Sequence, residues 1–306
     1  MHYHTGLAYE TTQEFLDGAV PFISGGLAQE HAVMAITSPE KAQALREAAG
    51  TAADGVEFSS TDDWYMSQAR AFSKFIDRAR AQHEEGRRGL CILTDPSVAG
   101  LDEERVRRWL FVENLVSQIL RTMPMSVMCT YDVHLSGLTR SQIEISHPHM
   151  ATGAQICASS AFIDPCAFND SAHAVMRGDV PADAQVLSFD EHSLTEFRAF
   201  VERTARNLEM SAAKGIDLVI AASEAAANAI EHGGGSGIGR VWRSGSEVIC
   251  AIENSSGGID NLAAGFVTPG WAEERGRGIW MMRQLCEWVD LRSAADGTSV
   301  RLHVRD

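Results

Sequence analysis

The feature that most constrains this chain is an ordered series of polar and glycine-bearing segments in its last third. Glu224, Asn228 and His232 recur every fourth residue, so on a helix they project from one face, while Val219, Ile220, Ala226 and Ile230 can pack elsewhere. Taken alone, such a stripe reads as a solvated helix face. The sequence that follows changes its meaning. Residues 248–252 form the apolar run of a strand and lead into Glu253-Asn254-Ser255-Ser256-Gly257-Gly258-Ile259, and Glu274-Arg275-Gly276-Arg277-Gly278-Ile279 then opens another helix. Glycines at a loop-to-helix junction let backbone N–H groups approach a phosphate, where the helix dipole also favours negative charge. Gly297-Thr298-Ser299-Val300-Arg301-Leu302 closes the series as a turn into a final strand.

Upstream of this series, Ser193-Leu194-Thr195-Glu196 has the spacing of a capping box, predicting a helix that runs to about Met210. A second helix from about Ala212 ends at His232-Gly233, where glycine suits a left-handed terminal turn.

The first half has a different rhythm. Residues 32–36, 90–93 and 127–129 are continuous apolar runs, as in strands buried on both faces of a parallel sheet. Between them Ala69, Phe72, Phe75, Ile76 and Ala79 recur at helical spacing, as do Val106, Trp109, Leu110, Val112, Val116 and Ile119. This alternation predicts a doubly wound α/β domain, which binds ligands beyond the carboxyl ends of its strands. Those ends carry Thr37-Ser38, Thr94-Asp95 and Tyr131-Asp132, a candidate pocket, although Ser, Thr and Asp also serve simply as helix caps. No G-x-x-x-x-G-K-[ST] follows the first of these strands; Thr37-Ser38-Pro39-Glu40-Lys41 stands in its place and favours a sensor over an ATPase.

A length of 306 residues suits two domains, and 45% hydrophobic with 22% charged residues excludes a disordered or fibrous chain. The net charge of −15 would repel nucleic acid and anionic lipid, so neither is an expected partner. No apolar run is long enough to span a bilayer, and Met1-His2-Tyr3-His4-Thr5 is not the start of a signal peptide; a cytoplasmic protein is expected. Cys91, Cys129, Cys157, Cys166, Cys250 and Cys286 form no C-x-x-C pair and read as reduced thiols. His147, His149, Cys157 and Cys166 share one stretch, but their spacing matches no common zinc site. Gly153, Pro165, Gly178 and Pro181 interrupt any periodic pattern, placing a linker at 151–186 between domains at 1–150 and 187–306.

The first domain, with the run of residues 15–27, the turn Ser38-Pro39-Glu40-Lys41, Cys129-Thr-Tyr-Asp132 and Ser146-His147-Pro148, looks like the MEDS sensory domain over about residues 5–150. That resemblance implies a RecA-like fold without an intact P-loop and a role in sensing a small-molecule ligand. The second domain resembles the GHKL (Bergerat) ATP-binding α/β sandwich, most closely the anti-sigma factors that are serine-protein kinases. Glu224-Ala-Ala-Ala-Asn228-Ala-Ile-Glu-His232 matches its N box, Asn254 to Ile259 its first glycine box and Gly276-Arg-Gly278 its second, with Gly297-Thr298 as the closing turn and a short lid between Ala263 and Arg275.

By that resemblance Asn228 would hold Mg²⁺, Glu224 would act on the attacking serine hydroxyl, Gly258, Gly276, Arg277 and Gly278 would cradle the nucleotide, and Thr298 would lie near the adenine. His232 would close the helix rather than react. The implied cofactors are ATP, or another purine nucleotide, and Mg²⁺; the implied partners are a sigma factor and an anti-anti-sigma protein of the STAS type, and a homodimer is compatible with it. Two positions depart from the pattern. Asn254 stands where the family has the aspartate that accepts from the adenine amino group, opening a preference for guanine, and Ser256 replaces the first glycine of its box. The alternative is therefore a non-catalytic sigma-binding module with lost or altered nucleotide binding. A histidine-kinase output domain ranks last, because the linker holds no dimerising segment with a phosphoacceptor histidine.

Overall fold

The computed structural model describes residues 4–64, 68–96, 98–120, 123–165, 167, 180–256, 261, 263–267, 277–294 and 297–306. The chain divides into two compact units, residues 1–176 and 177–306.

The first unit is a seven-stranded sheet with helices on both faces, in the order β3-β2-β4-β5-β1-β6-β7. Its strands are β1 (His4–Tyr9), β2 (Ala32–Ile36), β3 (Val56–Ser59), β4 (Leu90–Thr94), β5 (Met125–Asp132), β6 (His149–Thr152) and β7 (Gln155–Ala158), parallel except for the β6–β7 hairpin. The helices are α1 (Thr12–Ala28), α2 (Pro39–Ala49), α3 (Thr61–Trp64), α4 (Gln68–Glu84), α5 (Glu103–Leu120) and α6 (Arg140–Ser146). Strand alternation sorts the core: Leu7, Val33, Ala35, Leu93 and Met128 face α1, where Phe15, Ala19 and Ile23 are fully buried. The expected strands and both expected helices form. The interior strand β1, bracketed by β5 and β6, has no counterpart in the sequence reading, so β2 is the second strand rather than the first.

That shift moves the comparison with a P-loop. The β1–α1 connection is only Glu10 and Thr11, with Thr11 capping the helix by accepting from Glu14 N at 3.2 Å. The Glu14 carboxylate in turn accepts from Glu10 N at 2.8 Å. The positive end of α1 is thus filled by the protein's own acid, and no glycine loop stands there to hold a phosphate.

The second unit is an antiparallel sheet in the order β11-β12-β10-β9-β8, with three helices packed on one face. Its elements are β8 (Gln185–Asp190), α7 (Leu194–Asn207), α8 (Ala212–His232), β9 (Ser236–Ser244), β10 (Glu247–Asn254), α9 (Arg277–Leu285), β11 (Trp288–Ala294) and β12 (Gly297–Arg305). Strand β10 is apolar from Val248 to Ile252 because both its faces are covered there. Val248, Cys250 and Ile252 meet the helices, while Ile249 and Ala251 join Trp242 on the opposite face, against Val180 and Ala184. Alanines at 221, 222, 225, 226 and 229 let α8 lie close against the sheet and its neighbouring helices.

Three local expectations need correction. Ser193 does precede α7, but its hydroxyl donates to Asp190 Oδ1 at 2.7 Å instead of capping the helix, because Asp190 forms an Asx turn with the N–H groups of His192 and Ser193. The helix stops at Asn207, followed by Glu209 at φ +58°. At the end of α8, Gly233 has φ −107°; Gly234 and Gly235 take the left-handed turn at +94° and +86°. The edge strand β11, absent from the sequence reading, mixes Asp290 and Arg292 with apolar residues and so lacks the continuous apolar run of β10.

Candidate functional site

In the second unit α8, β10, α9 and β12 surround a cavity of about 220 Å³ that brings together Asn228, Asn254, Gly278 and Thr298. Its walls are largely apolar: Ile252, Met282, Leu291 and Val300 come from the core beneath. The register explains the meeting. Asn254 ends β10 directly opposite Thr298 at the start of β12, so the start of the first glycine-bearing segment and the closing turn of the series sit side by side. From the helical side, Glu224 and Asn228 are half-buried one turn apart on α8. Both look at the first turn of α9: a Cβ added to Gly278 would lie 2.9 Å from Glu224 Oε2 and 3.4 Å from Asn228 Nδ2. Glycine at 278 is what keeps this corner open. Arg277, which begins α9, is exposed. Gly258 and Gly276 lie outside the described residues, as do residues 268–275 of the expected lid.

Asn254 carries a distinct geometry. Its Nδ2 donates to the Gly233 carbonyl at 3.0 Å and to the Ser256 carbonyl. Two carbonyl acceptors determine which end of the amide faces them and use both of its N–H groups, so what the side chain can offer a ligand is its carbonyl oxygen, an acceptor. A Cβ on Gly233 would come within 2.1 Å of that Nδ2, which is why the helix ends in glycine there despite an ordinary φ. Ser256 also lines the cavity, its Oγ directed at Gly234.

At the carboxyl edge of the first sheet the polar residues close on one another. Asp95 accepts from Lys41 Nζ at 2.6 Å, Thr130 Oγ1 at 3.3 Å, Thr37 Oγ1 at 3.4 Å and the Tyr9 hydroxyl at 3.5 Å. Burial, together with the Asp95 and Asp132 charges, pushes the Tyr9 phenol well above its usual range. Of the six residues expected at this edge, Thr37 and Asp95 meet, with Thr94 buried beside them. Ser38 caps α2, and Asp132 accepts from His134 N and Leu135 N. Tyr131 is fully buried and turns to the opposite face, its ring 5.7 Å from that of His147, because strand alternation sends it away from Thr130.

Residues 3–148 match the model of MEDS, the "MEthanogen/methylotroph, DcmR Sensory domain", and residues 187–304 match that of the "Histidine kinase-like ATPase domain". The chain joins a MEDS domain to a histidine kinase-like ATPase domain. Among solved structures it is similar to the RsbU and RsbW domains of Rv1364c from Mycobacterium tuberculosis, at 20% identity and a TM-score of 0.32, over 41% of this chain and 32% of that one. The chain thus spans about a third of that structure's length. No curated protein matches it. Among the described residues, no helix is long and apolar enough to cross a membrane.

Two parts of these domains escaped the sequence reading. Tyr9 and Lys41 complete the Asp95 cluster in the MEDS domain, but Tyr9 lies on the unrecognised β1 and the sequence shows Lys41 only as part of the turn Ser38-Pro39-Glu40-Lys41, not as a partner of Asp95. In the ATPase domain, Arg283 is buried on α9, donates to the Ala264 and Val289 carbonyls at 2.9 and 3.2 Å, and stacks 4.0 Å over Phe266. Burial lowers its pKa to about 9. It ties the turn at residues 263–266 to the helix that opens the cavity, a role no local motif encodes.

Proposed function

We propose that the ATPase domain binds ATP with Mg²⁺ and acts as a switchable anti-sigma module, with the MEDS domain sensing a small molecule. The observation that carries this reading is the convergence of Asn228, Asn254, Gly278 and Thr298 on one apolar-walled cavity. The donor set suits the group. Asn228 offers an amide oxygen to a hard cation, and the space a Cβ at Gly278 would fill is open to a phosphate. Bound Mg²⁺ would supply charge neutralisation to the phosphates. Glu224, beside Gly278, would orient or deprotonate an incoming serine hydroxyl of a STAS partner. Phosphorylation of that partner would free the module to hold its sigma factor. A ligand preferred by one state of the MEDS domain would bias this equilibrium by its difference in affinity for the two states.

The hydrogen bonds of Asn254 favour adenine over guanine. Both amide N–H groups are engaged, leaving a carbonyl that can accept from the adenine amino group and would face guanine O6 as one acceptor against another. Calorimetric titration of the whole chain with Mg-ATP and Mg-GTP tests this. Saturable ATP binding with GTP at least tenfold weaker is expected, and equal affinities would remove Asn254 as the base reader. The second reading, a binding-only module, is favoured by Ser256 standing in the cavity lining where a glycine is expected. Absence of any nucleotide binding would select it.

A further inference from the structure

We propose that the first unit contains a transition-metal site, suited to Zn²⁺, built from His4, Glu113, Cys129 and His147. The four residues come from β1, α5, β5 and the residue after α6, and their ligand atoms all lie within 4.8 Å of one another. Glu113 Oε2 is 3.4 Å from His4 Nε2, 3.5 Å from His147 Nε2 and 3.4 Å from Cys129 Sγ, and Cys129 Sγ is 3.5 Å from His4 Nε2. A tetrahedral ion with Zn–N, Zn–O and Zn–S bonds of about 2.0 to 2.3 Å requires its ligands to stand roughly 3.4 to 3.6 Å apart. Four of the six edges already have that length.

The surroundings are those of a ligand set rather than of a chance core contact. His147 Nδ1 lies 2.8 Å from the Ile143 carbonyl, which can only accept, so the proton is on Nδ1 and the lone pair of Nε2 is directed at the cluster. That Nε2 is buried and faces Glu113 without the geometry of a hydrogen bond. His4 has its Nδ1 3.3 Å from Ser117 Oγ, one turn along α5 from Glu113, which anchors the ring with its Nε2 toward Glu113 and Cys129. Gly6, two residues after His4 on β1, makes room: a Cβ there would lie 2.9 Å from the His147 ring.

Charge points the same way. The two imidazole side chains are wholly buried and that of Glu113 is 3% exposed, so its carboxylate needs a cation. The imidazole rings are 4.3 Å apart, and two imidazolium charges at that distance would repel. A single divalent ion satisfies the carboxylate without charging either ring, and mixed N, O and S donors suit zinc rather than magnesium or calcium. All four positions would be protein ligands, the closed form of a structural site. Binding forms a metal–sulfur bond and releases the thiol proton of Cys129 to solvent.

The test is metal analysis of the full chain after expression with zinc and exhaustive dialysis, followed by replacement with Co²⁺. One equivalent of zinc is expected, and the Co²⁺ form should show thiolate-to-cobalt charge transfer with intense tetrahedral bands. Cys129→Ser should abolish the charge-transfer band. Glu113→Gln should weaken zinc binding by about a hundredfold or more, beyond the 10- to 100-fold loss typical of altering an outer-shell partner. His149→Gln and Cys157→Ser, which alter neighbouring donors outside the cluster, should retain the full equivalent. A folded wild-type chain that holds no zinc and gives no cobalt band overturns the proposal, as does equal zinc in all four variants, which would mean adventitious binding elsewhere. If Cys129→Ser fails to fold, the wild-type cobalt spectrum decides alone.

Discussion

In the MEDS domain the polar groups at the sheet edge converge on Asp95 and bond to one another, whereas in the ATPase domain Asn228, Gly278 and Thr298 converge on a cavity. Both arrangements come from polar residues at element ends over an apolar sheet. What separates them is small residues. Alanines along α8 and glycine at 278 keep the helices close while leaving room between them, but Lys41 and Tyr9 reach across the MEDS edge and close it. A polar edge therefore marks a place for a ligand only where something holds the space open.

The strongest way to break this contrast is Asn228→Ala. Calorimetry should show Mg-ATP affinity falling at least a hundredfold, about 2.8 kcal/mol, with the fold retained. Unchanged affinity would take Asn228 out of the site. Next, Asp95→Ala should act on stability, because it removes the acceptor shared by Lys41, Thr37, Thr130 and Tyr9. A loss of about 2 kcal/mol in the denaturant transition of the MEDS domain is expected. No loss would mean that the cluster serves a ligand rather than the fold. The smallest effect sharpens the contrast at the base end. Asn254→Asp would turn a carboxylate toward the Gly233 and Ser256 carbonyls, weakening ATP binding by about tenfold, or about 1.4 kcal/mol. Tighter ATP binding in that variant would show that the amide donors are dispensable.

These differences also explain what could be read from the sequence. The grouping around the cavity of the second unit was legible because its residues are local and periodic: Glu224 and Asn228 are one helical turn apart, and Asn254 and Thr298 each lie near a glycine-marked boundary. Strands β2, β4 and β5 announced themselves as apolar runs. Strand β1 did not, since His4, Thr5 and Gly6 interrupt its apolar character, and those residues sit where side chains from α5 and α6 must fit. The His4–Glu113–Cys129–His147 cluster was illegible for the same reason. Its members are scattered over more than half of the domain's length and meet only through the parallel pairing of β1 with β5 and the return of α6. His147 and Cys157, which share one stretch of sequence ten residues apart, have opposite fates, one buried in the cluster and the other exposed on β7.

The position of β1 between β5 and β6 also affects how this protein is made. During vectorial synthesis the nascent chain must carry β1 unpaired until β5 emerges from the ribosome more than a hundred residues later, a delay on the order of ten seconds at ordinary elongation rates. The hydrogen-bonding groups on both of its sides remain open to other chains throughout that interval. An interior strand, protected on both sides once folded, is thus among the longest exposed while the chain is being made.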